Sequence, residues 1–233
     1  MSRRLTQKAW RKRKKVKSLI RIGFLAVVVI TAVCIAGTIF SNIFREKSIY
    51  SISKGTVLKG NYPKDLNLNV ALLTPNEFSR PQTKLKNVKG VVVHYTANPG
   101  TDSLQNRNYF ENLKSSRTTK ASSHFVIGLQ GDIVQCIPTS EVAYASNERN
   151  EDTISVEVCH PDETGKFNKK SYHSLVKLVA YLVCEYDLEY EDILRHYDVT
   201  GKNCPKYFVE HEDKWDNFKR DVFLYIENNK VNN

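Results

Sequence analysis

The sequence predicts a mixed α/β fold, with a central mixed β-sheet flanked by helices and preceded by one transmembrane helix. Three observations carry that expectation. Short runs rich in Val and Ile recur at strand length, without a regular βαβ alternation. Two longer stretches place apolar residues at i, i+3, i+4 and i+7, the helical period. An uncharged stretch of 19 residues follows a strongly basic N-terminal tail.

In chain order, residues 1–21 come first, with ten basic side chains and no acidic one, out of 35 basic and 25 acidic in the whole chain. The remainder is electrically balanced, so the formal charge of +10 belongs to the tail. A neutral main domain matches a phosphate backbone poorly, which excludes nucleic acid as a partner. Residues 22–40 carry no charge, and the neutral stretch continues to Phe44. A helix over 22–40 is roughly 28 Å long, close to the hydrocarbon thickness of a bilayer.

The excess of cations before this span predicts a cytoplasmic N-terminus and an extracytoplasmic domain, a single-pass protein of the cell membrane. The expected organisation is a basic tail over 1–21, a transmembrane signal-anchor over 22–44, a polar linker over 45–67 and the main domain over 68–233. A cleaved signal peptide is the competing reading. Its apolar core is normally only about 7–15 residues long, and no small-x-small cleavage site follows this one.

Within the domain, Val70, Leu72 and Leu73 are apolar patches broken by Pro75 and Pro81, expected to wrap its edge. Val91, Val92 and Val93 suit a strand buried on both faces over residues 90–95. Residues 101–116 read as a helix, with Thr101 or Asp102 as N-cap and Leu104, Tyr109, Phe110 and Leu113 at partial helical spacing. Residues 124–129 and 132–137 are strand-like around Gln130-Gly131, a hairpin signal. Over 153–159, Ile154, Val156 and Val158 alternate with Ser155, Glu157 and Cys159. The clearest helix covers 171–186, and a last one, with Trp215, Phe218, Val222 and Tyr225, covers about 210–227. Five cysteines without closely spaced pairs do not make a disulfide framework, although one bridge remains open.

Three places carry candidate chemistry: His94 at the end of the Val-Val-Val strand, Glu157 on the face of its strand expected to point away from the core, and the segment from His196 to Pro205. Zinc favours imidazole and thiolate in tetrahedral array, and His94, His196 and Cys204 can supply three such ligands with one position open. Gly201 allows the chain between His196 and Cys204 to loop back. Lys202, two residues before Cys204, falls on the same side in an extended segment and brings an ammonium beside the metal, where it stabilises an oxyanion. Glu157 is placed to take a proton from the attacking water and pass it to a leaving amine. Each residue also has a structural reading: a hydrogen-bonded His, a small apolar Cys, a solvated Lys, an exposed Glu. By spacing alone His124, His160, His173 and His211 remain equal candidates.

The motifs are Val91-Val-Val-His94-Tyr-Thr-Ala97, Ala121-Ser-Ser-His124-Phe-Val-Ile-Gly128, Asn150-Glu-Asp-Thr-Ile-Ser-Val-Glu157 and His196-Tyr-Asp-Val-Thr-Gly-Lys202-Asn-Cys204-Pro205. In this order they resemble the zinc-dependent N-acetylmuramoyl-L-alanine amidases of the type-2 family, which share a fold with phage T7 lysozyme and the peptidoglycan recognition proteins. The resemblance covers about residues 87–208. It implies Zn2+ held by His94, His196 and Cys204, with Glu157 and Lys202 as catalytic helpers. It implies hydrolysis of the amide joining N-acetylmuramic acid to L-Ala in cell-wall peptidoglycan, and a structural role for His124.

Two departures stand out. The catalytic Tyr of T7-lysozyme-like members has no counterpart here, since Ser123 precedes His124. Other members carry Trp-His-Ala-Gly where this chain reads Val142-Ala-Tyr-Ala-Ser146, a segment that borders the substrate groove. A membrane-tethered amidase is the first functional expectation, and a non-catalytic peptidoglycan-binding module is the alternative.

Overall fold

The computed structural model describes residues 66–230. The basic tail, the apolar span and nearly all of the linker lie outside the described residues. Among the described residues no helix is long and apolar enough to cross a membrane.

Six strands form one sheet: β1 (Leu68–Val70), β2 (Val91–Tyr95), β3 (Phe125–Ile127), β4 (Ile133–Gln135), β5 (Ile154–Val158) and β6 (Ile193–Arg195). Their spatial order is β1-β4-β3-β5-β2-β6. Only the β3–β4 hairpin is antiparallel, and β3, β5, β2 and β6 run parallel. The mixed sheet expected from the sequence is therefore present. The hairpin closes as its signal indicates: Gly128 N–H donates to Asp132 O, and Gly131 takes a left-handed φ of 80°.

Helix α1 (Ser103–Ser116) starts at Asp102, whose side chain accepts from Gln105 N–H while Gln105 Oε1 accepts from Asp102 N–H. It covers one face of the sheet, burying Phe110 and Leu113 near Val126, Val134, Cys136 and Cys159. Leu104 and Tyr109, expected on that apolar side, are exposed. Partial periodicity over one helix does not define a stripe, and only two of the four residues share the buried face.

The other face is larger. Val91, Val93, Ile154, Val156, Val158 and Ile193 belong to a core with α2 (Lys169–Tyr186) and α5 (Glu212–Lys230), and these two helices pack together. Helix α2 begins two residues earlier than its apolar pattern because Asn168 accepts from Lys170 N–H and Ser171 N–H. Helix α5 buries Trp215, Phe218, Val222, Phe223 and Ile226, and Phe218 stacks on Phe208. That contact anchors α4 (Lys206–Glu210), just after the Cys204 segment.

Strand β1, helices α3 (His196–Thr200) and α4, and strand β6 have no periodic signature; each is three to five residues long. Strand β1 pairs with β4 at the sheet edge, where the Val70 and Leu72 patch was expected to wrap. Arg107 of α1 donates to Ala71 O and Leu72 O and holds the following segment down.

Candidate metal centre

Three adjacent parallel strands deliver the site residues to one end of the sheet. His94 stands in register with Glu157 across β2 and β5, so their side chains share a face. Val93 pairs with Arg195 across β2 and β6, which brings His196, the next residue and the first of α3, level with His94. The carboxyl ends of parallel strands are where open α/β sheets commonly bind ligands.

The junction at His196 is clamped by its neighbour. Arg195 is buried, and its guanidinium donates to Asp198 Oδ1 (2.7 Å), Phe208 O (3.1 Å) and Glu212 Oε2 (2.6 Å). Asp198 in turn accepts from Arg195 N–H and opens α3. Gly201 ends the helix at φ 76°, with Gly201 N–H donating to Tyr197 O. The chain then returns so that Tyr197 N–H donates to Cys204 O.

The reversal brings the third residue home. Among the described residues, His94, His196 and Cys204 are the one group of His, Cys, Asp or Glu side chains placed to share an ion, with ligand atoms within 4.8 Å of one another. Cys204 Sγ is 3.8 Å from His94 Nδ1, and the two rings meet edge-on at 4.7 Å. None of Cys136, Cys159, Cys184 and Cys204 forms a disulfide.

The extended geometry expected for Lys202 is not found: Cys204 N–H donates back to Lys202 O at 2.6 Å, closing a tight turn. Lys202 is exposed, and its positive charge is felt at His94, His196, Cys204 and Glu157.

Burial, the neighbouring imidazole and Lys202 hold His94 well below the usual imidazole range; burial and Lys202 also lower His196. Both rings are therefore neutral, the state in which imidazole ligates. Burial, and then Glu157, push the Cys204 thiol up to about 12. Burial also pushes the Glu157 carboxyl up to about 8, against the pull of Lys202. Glu157 Oε2 is shut off from solvent and has no hydrogen-bond partner. A buried thiol and an orphaned carboxylate oxygen beside two neutral imidazoles lack one thing, a positive charge among them. This donor set fits a divalent, borderline-soft ion of the zinc type.

The remaining histidines do not join the cluster. His124 receives Ser155 N–H at Nδ1 (3.0 Å) and donates from Nε2 to Glu141 O (2.9 Å), bridging β5 to the 139–150 loop. His160 donates from Nδ1 to Asp162 O and lies against Tyr95, while His173 and His211 are exposed. Two polar neighbours escaped the sequence reading. Ser146 Oγ lies 3.2 Å from His94 Nε2, and Asn147 Oδ1 lies 3.2 Å from His196 Nε2. Ser146 closes the Val142–Ser146 segment and Asn147 follows it, and no spacing rule singles them out.

The sequence profile of the N-acetylmuramoyl-L-alanine amidases matches residues 84–207, more than half of the chain and every residue of this site. The chain belongs to the N-acetylmuramoyl-L-alanine amidase family. It is 34% identical over 168 residues to the N-acetylmuramoyl-L-alanine amidase CwlL of Bacillus licheniformis, covering 67% of this chain and 46% of that protein. It is 32% identical over 168 residues to the amidase BlyA of Bacillus subtilis strain 168, covering 63% of this chain and 44% of BlyA. The chain thus spans less than half the length of these relatives.

Among solved structures this amidase-family domain resembles PlyL, at 25% identity and a TM-score of 0.58 over 66% of this chain and 96% of that one. It also resembles the catalytic domain of XlyA, at 25% identity and a TM-score of 0.55, covering 66% of this chain and 99% of that domain. The fold expected from the four sequence motifs is the fold of these neighbours.

Proposed function

We propose that the protein is a zinc-dependent amidase that hydrolyses the amide between N-acetylmuramic acid and L-Ala in peptidoglycan. The carrying observation is the His94, His196 and Cys204 cluster with the unpartnered Glu157 Oε2 in register beside it. The family match and the amidases CwlL and BlyA support the substrate class.

His94, His196 and Cys204 would hold the ion, which when bound would supply Lewis-acid chemistry at the scissile carbonyl and the attacking water. Glu157 Oε2 accepts the proton lost by the attacking water as the new C–O bond forms. The same carboxyl then delivers that proton to the L-Ala nitrogen as the C–N bond breaks, leaving a lactyl carboxylate and a free amine. Lys202, whose charge reaches Glu157 and all three cluster residues, offsets the negative charge that collects on the former carbonyl oxygen. A cell-wall polymer cannot cross a bilayer, and the neutral stretch over 22–44 behind ten cations supports a domain tethered on the outer face of the cell membrane.

The test uses the purified full chain in mild detergent. Incubation with peptidoglycan is expected to release free L-Ala amino groups, to stop after chelation and to resume on adding zinc. Cys204→Ala should abolish both zinc uptake and release. Binding to peptidoglycan without release, with zinc replete, would support the non-catalytic binding module instead.

A further inference from the structure

Ser146 and Asn147 are consecutive residues at the entry to the 3-10 turn Asn147–Arg149, and each sets an oxygen against a different imidazole of the cluster. The contacts are alike: both involve Nε2, both at 3.2 Å. At His94 the opposite nitrogen, Nδ1, is the one that faces Cys204 Sγ. An amide oxygen can only accept, so His196 Nε2 carries the proton and Nδ1 keeps its lone pair.

The segment is itself held in place. Asn150 Oδ1 accepts from Ala145 N–H (2.9 Å) and Ser146 N–H (2.6 Å), and Ser146 is 1% exposed. Asn147 has a left-handed φ of 51°, a conformation that Asn adopts more readily than most residues. The two oxygens are thus presented by a backbone shaped for it.

We propose that Ser146 and Asn147 are positioning residues that hold both imidazoles as Nε2–H tautomers with Nδ1 turned to the metal. Two ligands delivered by different strands are then aligned by one dipeptide on a third element. The proposal rests on the metal reading above. Such partners of ligating histidines restrict the ring and raise its basicity, and losing one costs about 10- to 100-fold in metal affinity.

The experiment measures zinc affinity of the full chain in detergent, stripped of metal and titrated in competition with a chromophoric chelator. Asn147→Gly keeps the left-handed backbone and removes the acceptor; Ser146→Ala removes the hydroxyl. Each is expected to weaken zinc binding about 10- to 100-fold. Asn147→Asp, which restores an acceptor at the same atom, is expected to recover affinity, with the metal-free melting temperature of all three close to the parent's. Unchanged affinity in Asn147→Gly and Ser146→Ala overturns the proposal, as does an Asn147→Asp no better than Gly, which marks a role in loop shape alone. A parent chain that takes up no zinc overturns the metal reading itself, a result distinct from variants that match a zinc-binding parent.

Discussion

His94 and Glu157 stand in register on neighbouring parallel strands, a member of the His-His-Cys cluster on one and a carboxyl with an unpartnered Oε2 on the other. The backbone ladder sets the two residues side by side, and burial of the carboxyl keeps it next to the His94, His196 and Cys204 cluster. The two jobs are therefore separable by mutation. Glu157→Gln is expected to retain one zinc per chain and to lose about 10²- to 10⁴-fold in kcat. Metal content and turnover measured on the same preparation check this, and near-parental turnover would remove Glu157 from the proton path.

Lys202 acts on the site through charge from an exposed turn. Lys202→Met is expected to keep zinc and lower kcat by about 10²- to 10³-fold, the usual cost of a lost oxyanion donor. Lys202→Arg, which keeps the charge on a longer head, should recover part of the loss. If kcat holds steady and only KM rises, the ammonium binds substrate and does not stabilise the developing charge.

Gly201 has a left-handed φ, and a Cβ added there meets nothing within 4 Å. The cost of Gly201→Ala is then purely conformational, about 1–2 kcal/mol. Because this residue turns the chain from His196 back to Cys204, the variant should also bind zinc less tightly, and Gly201→Asn should be milder on both counts. Thermal melts with and without zinc measure the two effects together.

Burial lowers His124 to about 4, and the hydrogen bond to Glu141 O opposes this only in part. Protonating Nδ1 would displace the Ser155 N–H that it accepts. A histidine with a depressed folded pKa contributes stability that is fully present above its unfolded value near 6.5 and is lost as pH falls towards 4. Within that window the loss is at most about 1.4 kcal/mol per pH unit. His124→Asn should therefore be clearly less stable than the parent at pH 7, with a gap that narrows towards pH 4.5. A melting-temperature gap independent of pH would contradict the buried neutral imidazole.

Residue identity and period made much of this molecule legible in the sequence. The Val91–Val93 run, the hairpin at Gly131, the α2 and α5 patterns and the four ordered motifs point to the sheet, its covering helices and the five site residues. Those signals are local: a strand buried on both faces must be apolar throughout, and a reversal at Gly201 needs a residue that tolerates positive φ. Strands β1 and β6 and helices α3 and α4 are too short for any period to emerge, and they exist because neighbours pair with them or clamp them, as Arg195 does for α3.

Only the folded chain decided which histidines gather. His94 and His196 meet because β6 lies beside β2, while His124, equally visible in the sequence, is spent on bridging β5 to a loop. Only the folded chain revealed Ser146 and Asn147. A hydrogen bond between residues 52 positions apart leaves no trace in spacing or composition, because its energy depends on a distance and an angle that exist only after the sheet has formed.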